Sequence, residues 1–506
     1  MLPTTPTAPT WGNQAYPRDF GKRVSTYQRR RHIKLACAGA GLFLLLCWAF
    51  IPHFSGVLLS LGGYRRPPSS LQLDLSHLAN IDLTHKFTYS RRLIRVKKDR
   101  KARWKSLTQV NETLYQASQV QTLDASNLTN VVVSASPPIT ITVPWPEKHT
   151  RFTAKDSTAS ISIGVATSLR RLSESIDHWS HWLPNTGAYL HVLVPPDTHE
   201  NTTVSEERLK ELGIDANVTT SKLPYPHAYF SLLKHLYENR RKETRWIAVF
   251  DDDTFVPSLQ DLVSHLNRNY DASSQKLVGA LSDNTVQINT WGIITYGGGG
   301  IFISLPLAAY LTSPKVFDAC MESGAGQGDR ILTDCLYDWS EVRPIFDSSL
   351  HQMDVKGDPS GYFESGRKLL TIHHWKSPDN FFSVDMPRVA QITKACGAEC
   401  MLMRFQFADG VVLSNGYSIA MYGENVTRIN FDAVEMTWGG DRSQFIHHIG
   451  PLRNVVALEE KRSLRMIATS VIDGVGILQT YSDRDSEHDT PGSFVHEVLE
   501  LMWLFD

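Results

Sequence analysis

TRWIAVFDDDTFVP, residues 244–257, is the stretch on which the fold turns. Five apolar residues, WIAVF, between charged flanks read as a buried strand, and that strand ends on Asp251, Asp252 and Asp253. Upstream, SISIGVATS (160–168) and AYLHVLVPP (188–196) read as further strands. RRLSESIDHWSHWL (170–183) and KLPYPHAYFSLLKHLYENRRKETR (222–245) read as helices. Strands alternating with helices predict an α/β layered domain with a largely parallel sheet. Ligand chemistry in such sheets gathers at the carboxyl ends of strands, which is where the three aspartates fall.

Three adjacent carboxylates repel one another, so a strand end carrying them is costly unless a cation or a set of hydrogen bonds offsets the repulsion. In extended backbone Asp251 and Asp253 point to one side and Asp252 to the other. Such a pair suits a hard divalent ion whose other positions are filled by water and by phosphate oxygens of a substrate. The competing reading is a solvated acidic turn that caps the helix expected in TFVPSLQDLVSHL. Downstream, WGIITYGGGGIFIS (291–304) sets four glycines between apolar segments, where backbone can approach a ligand closely. It is neither a G-x-x-x-x-G-K-S/T phosphate loop nor a dinucleotide fingerprint. CMESGAGQGDRILTDC (320–335) holds Asp329 and Asp334 between two cysteines. KLLTIHHWKS (368–377) ends an apolar strand on His373 and His374, and imidazole is a ligand for a borderline metal such as manganese.

In this order the four segments resemble the Fringe-like β-1,3-glycosyltransferases, glycosyltransferase family 31, and most of all their fungal type II membrane members. The resemblance spans about residues 158–378. It implies a GT-A fold, a UDP-sugar donor, inverting transfer to a glycan hydroxyl with a β-1,3 linkage, and a divalent ion, usually Mn²⁺. On the matching positions it implies Asp251 and Asp253 as metal or donor ligands and Asp252 beside the donor. His373 is the implied metal-binding histidine, with His374 the alternate, and Asp329 the implied general base, with Asp334 the alternate. Gly298 and Gly299 are candidates to approach the donor through backbone. Thr167, Ser168, Arg170 and Arg171, after the first strand, are candidates to touch the nucleotide; a helix start with solvent-facing arginines is the alternative. Trp291 and Trp375, at the ends of apolar segments, read as core packing, with stacking on a sugar the alternative. The pair His447 and His448, with no acidic pattern nearby, reads as structural.

The chain has 506 residues, and 51 Lys plus Arg against 52 Asp plus Glu leave a formal charge of −1. There is no cationic field for a nucleic-acid backbone. LACAGAGLFLLLCWAFI (35–51) carries no charge. As a helix at ~1.5 Å per residue it is about 25 Å long, at the short end of a membrane span. Arg18, Lys22, Arg23, Arg29, Arg30, Arg31 and Lys34 precede it, so the positive-inside rule puts the N-terminus in the cytosol and everything after about residue 63 in the lumen. A cleaved signal peptide is the alternative, but no clear A-x-A site follows. Acceptor sequons at Asn111, Asn127, Asn201, Asn217 and Asn425 all fall on the lumenal side. Cys37 and Cys47 lie in the anchor, leaving Cys320, Cys335, Cys396 and Cys400 for an oxidising compartment. Of the three connectivities the local pairs Cys320–Cys335 and Cys396–Cys400 are preferred, with buried thiols the alternative.

The expected organisation is a cytosolic tail (1–32), a transmembrane anchor (33–63), a lumenal stem (64–157), the catalytic domain (158–378) and a β-rich C-terminal module (379–506). Within the stem the basic run SRRLIRVKKDRKARWKS (90–106) reads as a solvated face or a helix, with a partner-binding patch the alternative. The expected protein is a single-pass type II Golgi transferase. The alternatives are a membrane-tethered, non-catalytic glycan-binding protein and a metal-dependent phosphohydrolase.

Overall fold

The WIAVF run forms the strand Trp246–Phe250, in which every residue is buried. On one side it pairs in parallel with Ile161–Ala166, and on the other antiparallel with Tyr296–Ser304. The computed structural model describes residues 70–144, 157–196, 202–376, 383–445, 449–483 and 495–505. The expected tail (1–32), the expected anchor (33–63), Asn201, His447 and His448 lie outside these residues. Among the described residues no helix is long and apolar enough to cross a membrane.

Seven strands make the first sheet, in the order Ile345–Phe346, Leu277–Ala280, Tyr296–Ser304, Trp246–Phe250, Ile161–Ala166, Tyr189–Val194 and Asp215–Thr220. The four strands from Trp246–Phe250 outward run parallel, and Tyr296–Ser304 opposes both of its neighbours, so the sheet is mixed. Alternating residues of Trp246–Phe250 feed two cores, because successive side chains leave a strand on opposite faces. Trp246, Ala248 and Phe250 pack with Leu172, Ile176 and Trp179 of the helix Leu169–Trp182, and Ile247 and Val249 pack with Leu232, Leu233 and Leu236 of the helix Tyr225–Glu238. Ser168 caps the first of these helices by accepting from the Arg171 N–H. Cys320–Cys335 ties the helix Pro314–Met321 to the helix Gly328–Trp339, and a second disulfide joins Cys396 to Cys400.

Residues 64–157 differ from the expected stem over their described part. Leu83–Asp99, which contains much of the basic run, is a strand of 17 residues inside a ten-stranded sheet. It pairs in parallel with the C-terminal strand Val495–Leu504, from Leu83↔Val495 to Arg95↔Leu504, and on its other edge with Ile139–Pro144 and Gln121–Asp124. The period-two burial of Phe87, Tyr89, Ile94 and Val96 was hidden by the density of arginine and lysine around them. Residues 379–506 do not form a self-contained module either. Their strands complete this sheet, while Met386, Val389, Tyr417, Val434 and Trp438 extend the apolar core of the first sheet. Of the sequon asparagines, Asn111, Asn127 and Asn217 are exposed and Asn425 is half-buried.

Buried ions fasten these parts. Glu364, directly after the short helix Ser360–Phe363, accepts from Lys461 Nζ at 2.8 Å and Arg465 Nη1 at 2.6 Å on the C-terminal side. Glu500 on the last strand accepts from Tyr89 Oη at 2.5 Å and Arg91 Nη2 at 2.5 Å on the strand Leu83–Asp99, with His77 Nε2 at 2.6 Å. Burial pushes the Glu500 carboxyl up, but Arg91 and His77 outweigh it and hold it at about 2, against 4.5 when unburied. A depressed carboxylate stabilises the fold fully above its unfolded value and loses that contribution as pH falls through its folded one. Glu500→Gln is therefore expected to cost about 3 kcal/mol at neutral pH. The difference from wild type should shrink as pH falls from about 4.5 towards about 2, as denaturant unfolding across a pH series would measure.

Candidate active site

The backbone itself brings the aspartates to the histidine. After the turn at 251–253 the chain re-enters the sheet region, where Phe255 exchanges hydrogen bonds with Ile372 (2.8 and 2.9 Å), and His373 follows directly. His373 Nε2 stands 2.9 Å from Asp253 Oδ1 and 3.4 Å from Asp251 Oδ2. Asp252 points the other way, accepting from the Thr167 hydroxyl and from Arg171 Nη2. The Trp375 indole N–H donates to the Asp253 carbonyl at 2.6 Å and is buried, as core packing would have it. His374, at φ +51°, turns to Asp354 Oδ1 (3.2 Å), so of the two histidines it is His373 that meets the strand-end acids.

The glycine run lies inside the strand Tyr296–Ser304, buried throughout, and neither Gly298 nor Gly299 lines the cleft. The sequence reading that gave them to the donor is corrected: they make room for site residues. A Cβ on Gly297 would lie 2.1 Å from the Tyr229 hydroxyl, and one on Gly298 would lie 2.2 Å from His373 Nδ1. The Gly299 N–H donates to Gln352 Oε1 at 2.9 Å, and its carbonyl accepts from the Thr371 hydroxyl at 2.7 Å.

Asp329 stands in the first turn of the helix Gly328–Trp339. Its carboxylate accepts from the Gly297 N–H at 3.3 Å and the Arg330 N–H at 2.8 Å. Burial raises its pKa above the ordinary carboxylate value, and those two N–H groups only partly offset this. Asp334 pairs with Arg330 Nε at 2.8 Å, one turn further along and 35% exposed, and does not line the cleft at Asp329.

Two cavities flank the Asp251, Asp253 and His373 group. One, of about 470 Å³, is lined by Asp251, His373, Asp329, Tyr225 and Trp291 among others. The other, of about 480 Å³, is lined by Ser168, Arg170, Arg171, Asp252, Asp253 and Lys376. Burial pushes the Asp251 carboxyl up to about 7, with Asp253 and Asp329 adding to the rise. For Asp253 burial acts in the same direction, but the adjacent His373 imidazolium wins and holds it well below the usual range. Burial alone would lower His373; its two aspartates lift it to about 9.

Among the described residues no three His, Cys, Asp or Glu side chains form a ready-made metal cage. The donor chemistry nonetheless fits a divalent ion. Neighbouring ligands of an octahedral ion with bonds of about 2.1 Å are about 3 Å apart, close to the 2.9 and 3.4 Å between His373 and its aspartates. Loss of the His373 proton would leave one imidazole nitrogen free beside two carboxylates. Tyr229, Gln352 and Lys376 escaped the sequence reading. Only Tyr229 left a signal there, sharing a helical face with Tyr225 at the i, i+4 spacing.

Residues 290–444 match a family described as "Protein of unknown function, DUF604". No curated protein matches the chain. Among solved structures it is similar to the glycosyltransferase GlyE of Streptococcus pneumoniae TIGR4, at 17% identity and a TM-score of 0.27, over 37% of this chain and 45% of that one. It is also similar to mouse xyloside xylosyltransferase 1, at 13% identity and a TM-score of 0.28, over 37% and 85%. A third is the galactosyltransferase LgtC with donor and acceptor sugar analogues, at 15% identity and a TM-score of 0.29, over 46% and 92%. The chain thus spans under half the length of GlyE. Likenesses this slight carry no activity across, and the functional reading stands on the site's own geometry.

The side-chain-free strand gives a direct check. Gly298→Ala would drive a methyl into the His373 ring, whereas a methyl at Gly324 meets nothing within 4 Å. Added Mn²⁺ is expected to raise the melting temperature of wild type and of Gly324→Ala, and to leave that of Gly298→Ala unmoved.

Proposed function

We propose that the protein is a glycosyltransferase of GT-A type that moves a sugar from a UDP-sugar to a hydroxyl of a glycan, in the manner of the Fringe-like enzymes. One observation carries the reading: Asp329, a buried carboxylate with a raised pKa, faces the same cleft as Asp251 and His373. A base and a group of cation-binding residues on one cleft of ligand size is what sugar transfer to a hydroxyl requires.

On this reading the nucleotide lies on the Arg171 and Lys376 side, where cationic side chains face Asp252 and Asp253, and the acceptor lies on the Asp329 side. Asp251, Asp253 and His373 would hold the divalent ion, Mn²⁺ in the first instance, which when bound would offset charge on the departing diphosphate. Thr167 and Arg171 fix the Asp252 carboxylate, keeping that side chain turned to the nucleotide side. The Gly297 and Arg330 N–H groups orient the Asp329 carboxylate. As the acceptor oxygen forms its bond to the anomeric carbon, the bond from that carbon to the diphosphate oxygen breaks and the hydroxyl proton passes to Asp329. A single displacement of this kind inverts the anomeric centre, giving the β linkage. The uncharged run 35–51, its basic flank and the five sequons support a type II anchor in the Golgi membrane with the site lumenal.

The test is UDP release by the detergent-solubilised chain with Mn²⁺ and a panel of UDP-sugars, with and without glycan acceptors. Acceptor-stimulated release supports transfer; release indifferent to acceptors points to hydrolysis, and no release with no donor binding refutes the reading. Asp253→Ala is expected to abolish Mn²⁺-dependent UDP binding. Asp329→Asn should keep that binding and lose about 10²- to 10⁴-fold in kcat. Because Asp329 must be ionised to take a proton and its pKa is raised, the acid limb of the wild-type kcat profile should lie above the ordinary carboxylate range.

A further inference from the structure

Next to the cleft at Asp329 lies a second, of about 340 Å³, and Trp291, Gly326 and Gln327 wall both. Trp291 is the last residue of the helix Thr285–Trp291 and is 40% exposed, contrary to the core packing expected from sequence. Its indole N–H is satisfied by Gln287 Oε1 at 3.1 Å, and its carbonyl accepts from Arg330 Nη1 at 2.6 Å. With its N–H bonded, the indole offers an aromatic surface to solvent. On the wall of the second cleft the same Arg330 pairs with Asp334 at 2.8 Å, both partly exposed. An aromatic face beside a partly solvated ion pair suits a ligand with an apolar face and a rim of hydroxyls, which is the shape of a pyranose ring. An aliphatic ligand would strip water from both charges and return no hydrogen bond.

We propose that the acceptor is an oligosaccharide of at least two rings: the ring bearing the reacting hydroxyl lies at Asp329, and the next lies in the second cleft, stacked on Trp291 with its hydroxyls on Arg330 and Asp334. This deepens the transfer reading and rests on it. Trp291 is then a specificity-determining residue that selects chain length, since the second ring is the one that stacks on it.

The test uses the purified full chain with Mn²⁺ and UDP, titrated calorimetrically with mono-, di- and trisaccharides of glucose, galactose and mannose; the same sugars serve as acceptors in the UDP-release assay. In at least one series affinity is expected to rise about 3- to 10-fold from one ring to two. That gain should vanish in Trp291→Ala and return in Trp291→Phe, while KM for the monosaccharide stays nearer the wild-type value than KM for the disaccharide. If added rings bring no gain to wild type in any series, or if Trp291→Ala weakens one-ring and two-ring sugars alike, the inference is overturned while acceptor-stimulated transfer stands. Absence of donor binding and turnover would overturn the transfer reading, and this inference with it.

Discussion

A segment of strand with no side chains holds the site together. Gly297 gives its N–H to Asp329, the Gly298 carbonyl accepts from the Thr254 hydroxyl at 2.9 Å, and Gly299 binds Gln352 and Thr371 through its two backbone groups. The same absence of Cβ atoms lets Tyr229 and His373 lie directly on the strand. Asp329, His373 and the strand-end acids therefore share one rigid backbone reference. Backbone in the middle of a sheet is among the least mobile parts of a protein, which suits a site whose groups must hold their geometry to within fractions of an ångström.

What keeps that strand in place reaches far along the chain. Tyr296–Ser304 is braced by Trp246–Phe250, whose core on one face runs on into Met386, Val389 and Trp438. The ten-stranded sheet that carries much of the C-terminal part is completed by Leu83–Asp99, paired to the last strand from Leu83↔Val495 onward. Glu500 ties those two strands, and Glu364 ties the segment before His373 to Lys461 and Arg465. A buried pair of this kind adds little net energy when whole but is costly to break, because the surviving charge is left without a partner. It therefore fixes which surfaces meet more than it stabilises them.

The sequence disclosed the first sheet better than its surroundings. WIAVFDDD announces a buried strand ending in charge, and that signal is local, as are the paired cysteines 15 and 4 residues apart. Asp252 turns away from its neighbours as extended backbone would have it, although the chain there is a turn and its bonds from Thr167 and Arg171 hold the side chain. The glycines were noticed but misassigned, because an absent side chain does not say whether a ligand or a tyrosine fills the space. Leu83–Asp99 was unreadable for a different reason. Its partners, Val495–Leu504, are some four hundred residues away, and pairing at such separation leaves no trace in local pattern. Trp291 misled because the end of an apolar run looks alike whether the ring turns in or out.

Asp251 and Asp253 lie two residues apart and face one histidine, yet their affinities for protons diverge. Burial raises both. Asp253 is nearer to His373, at 2.9 Å against 3.4 Å, and the charge of that imidazolium, with its hydrogen bond, reverses the rise. Asp251 has the weaker hold on the imidazolium and stands in the field of Asp329 as well, so it is pushed up to about 7. One imidazolium thus answers for two carboxylates, and Lys356 is the other cation lining a cleft that also holds Asp329 and Asp354, so the described residues of that cleft still leave a deficit of positive charge. Arg171, bound to Asp252, and Lys376, on the far side of Asp253, do not fill it from within that cleft. A proton on Asp251 covers part of the deficit. A divalent ion replacing the His373 proton would cover it more fully, and its charge would then be shared between the carboxylates and an incoming diphosphate. The excess of negative charge that makes these residues costly to bury is thus also what would make them select for a cation.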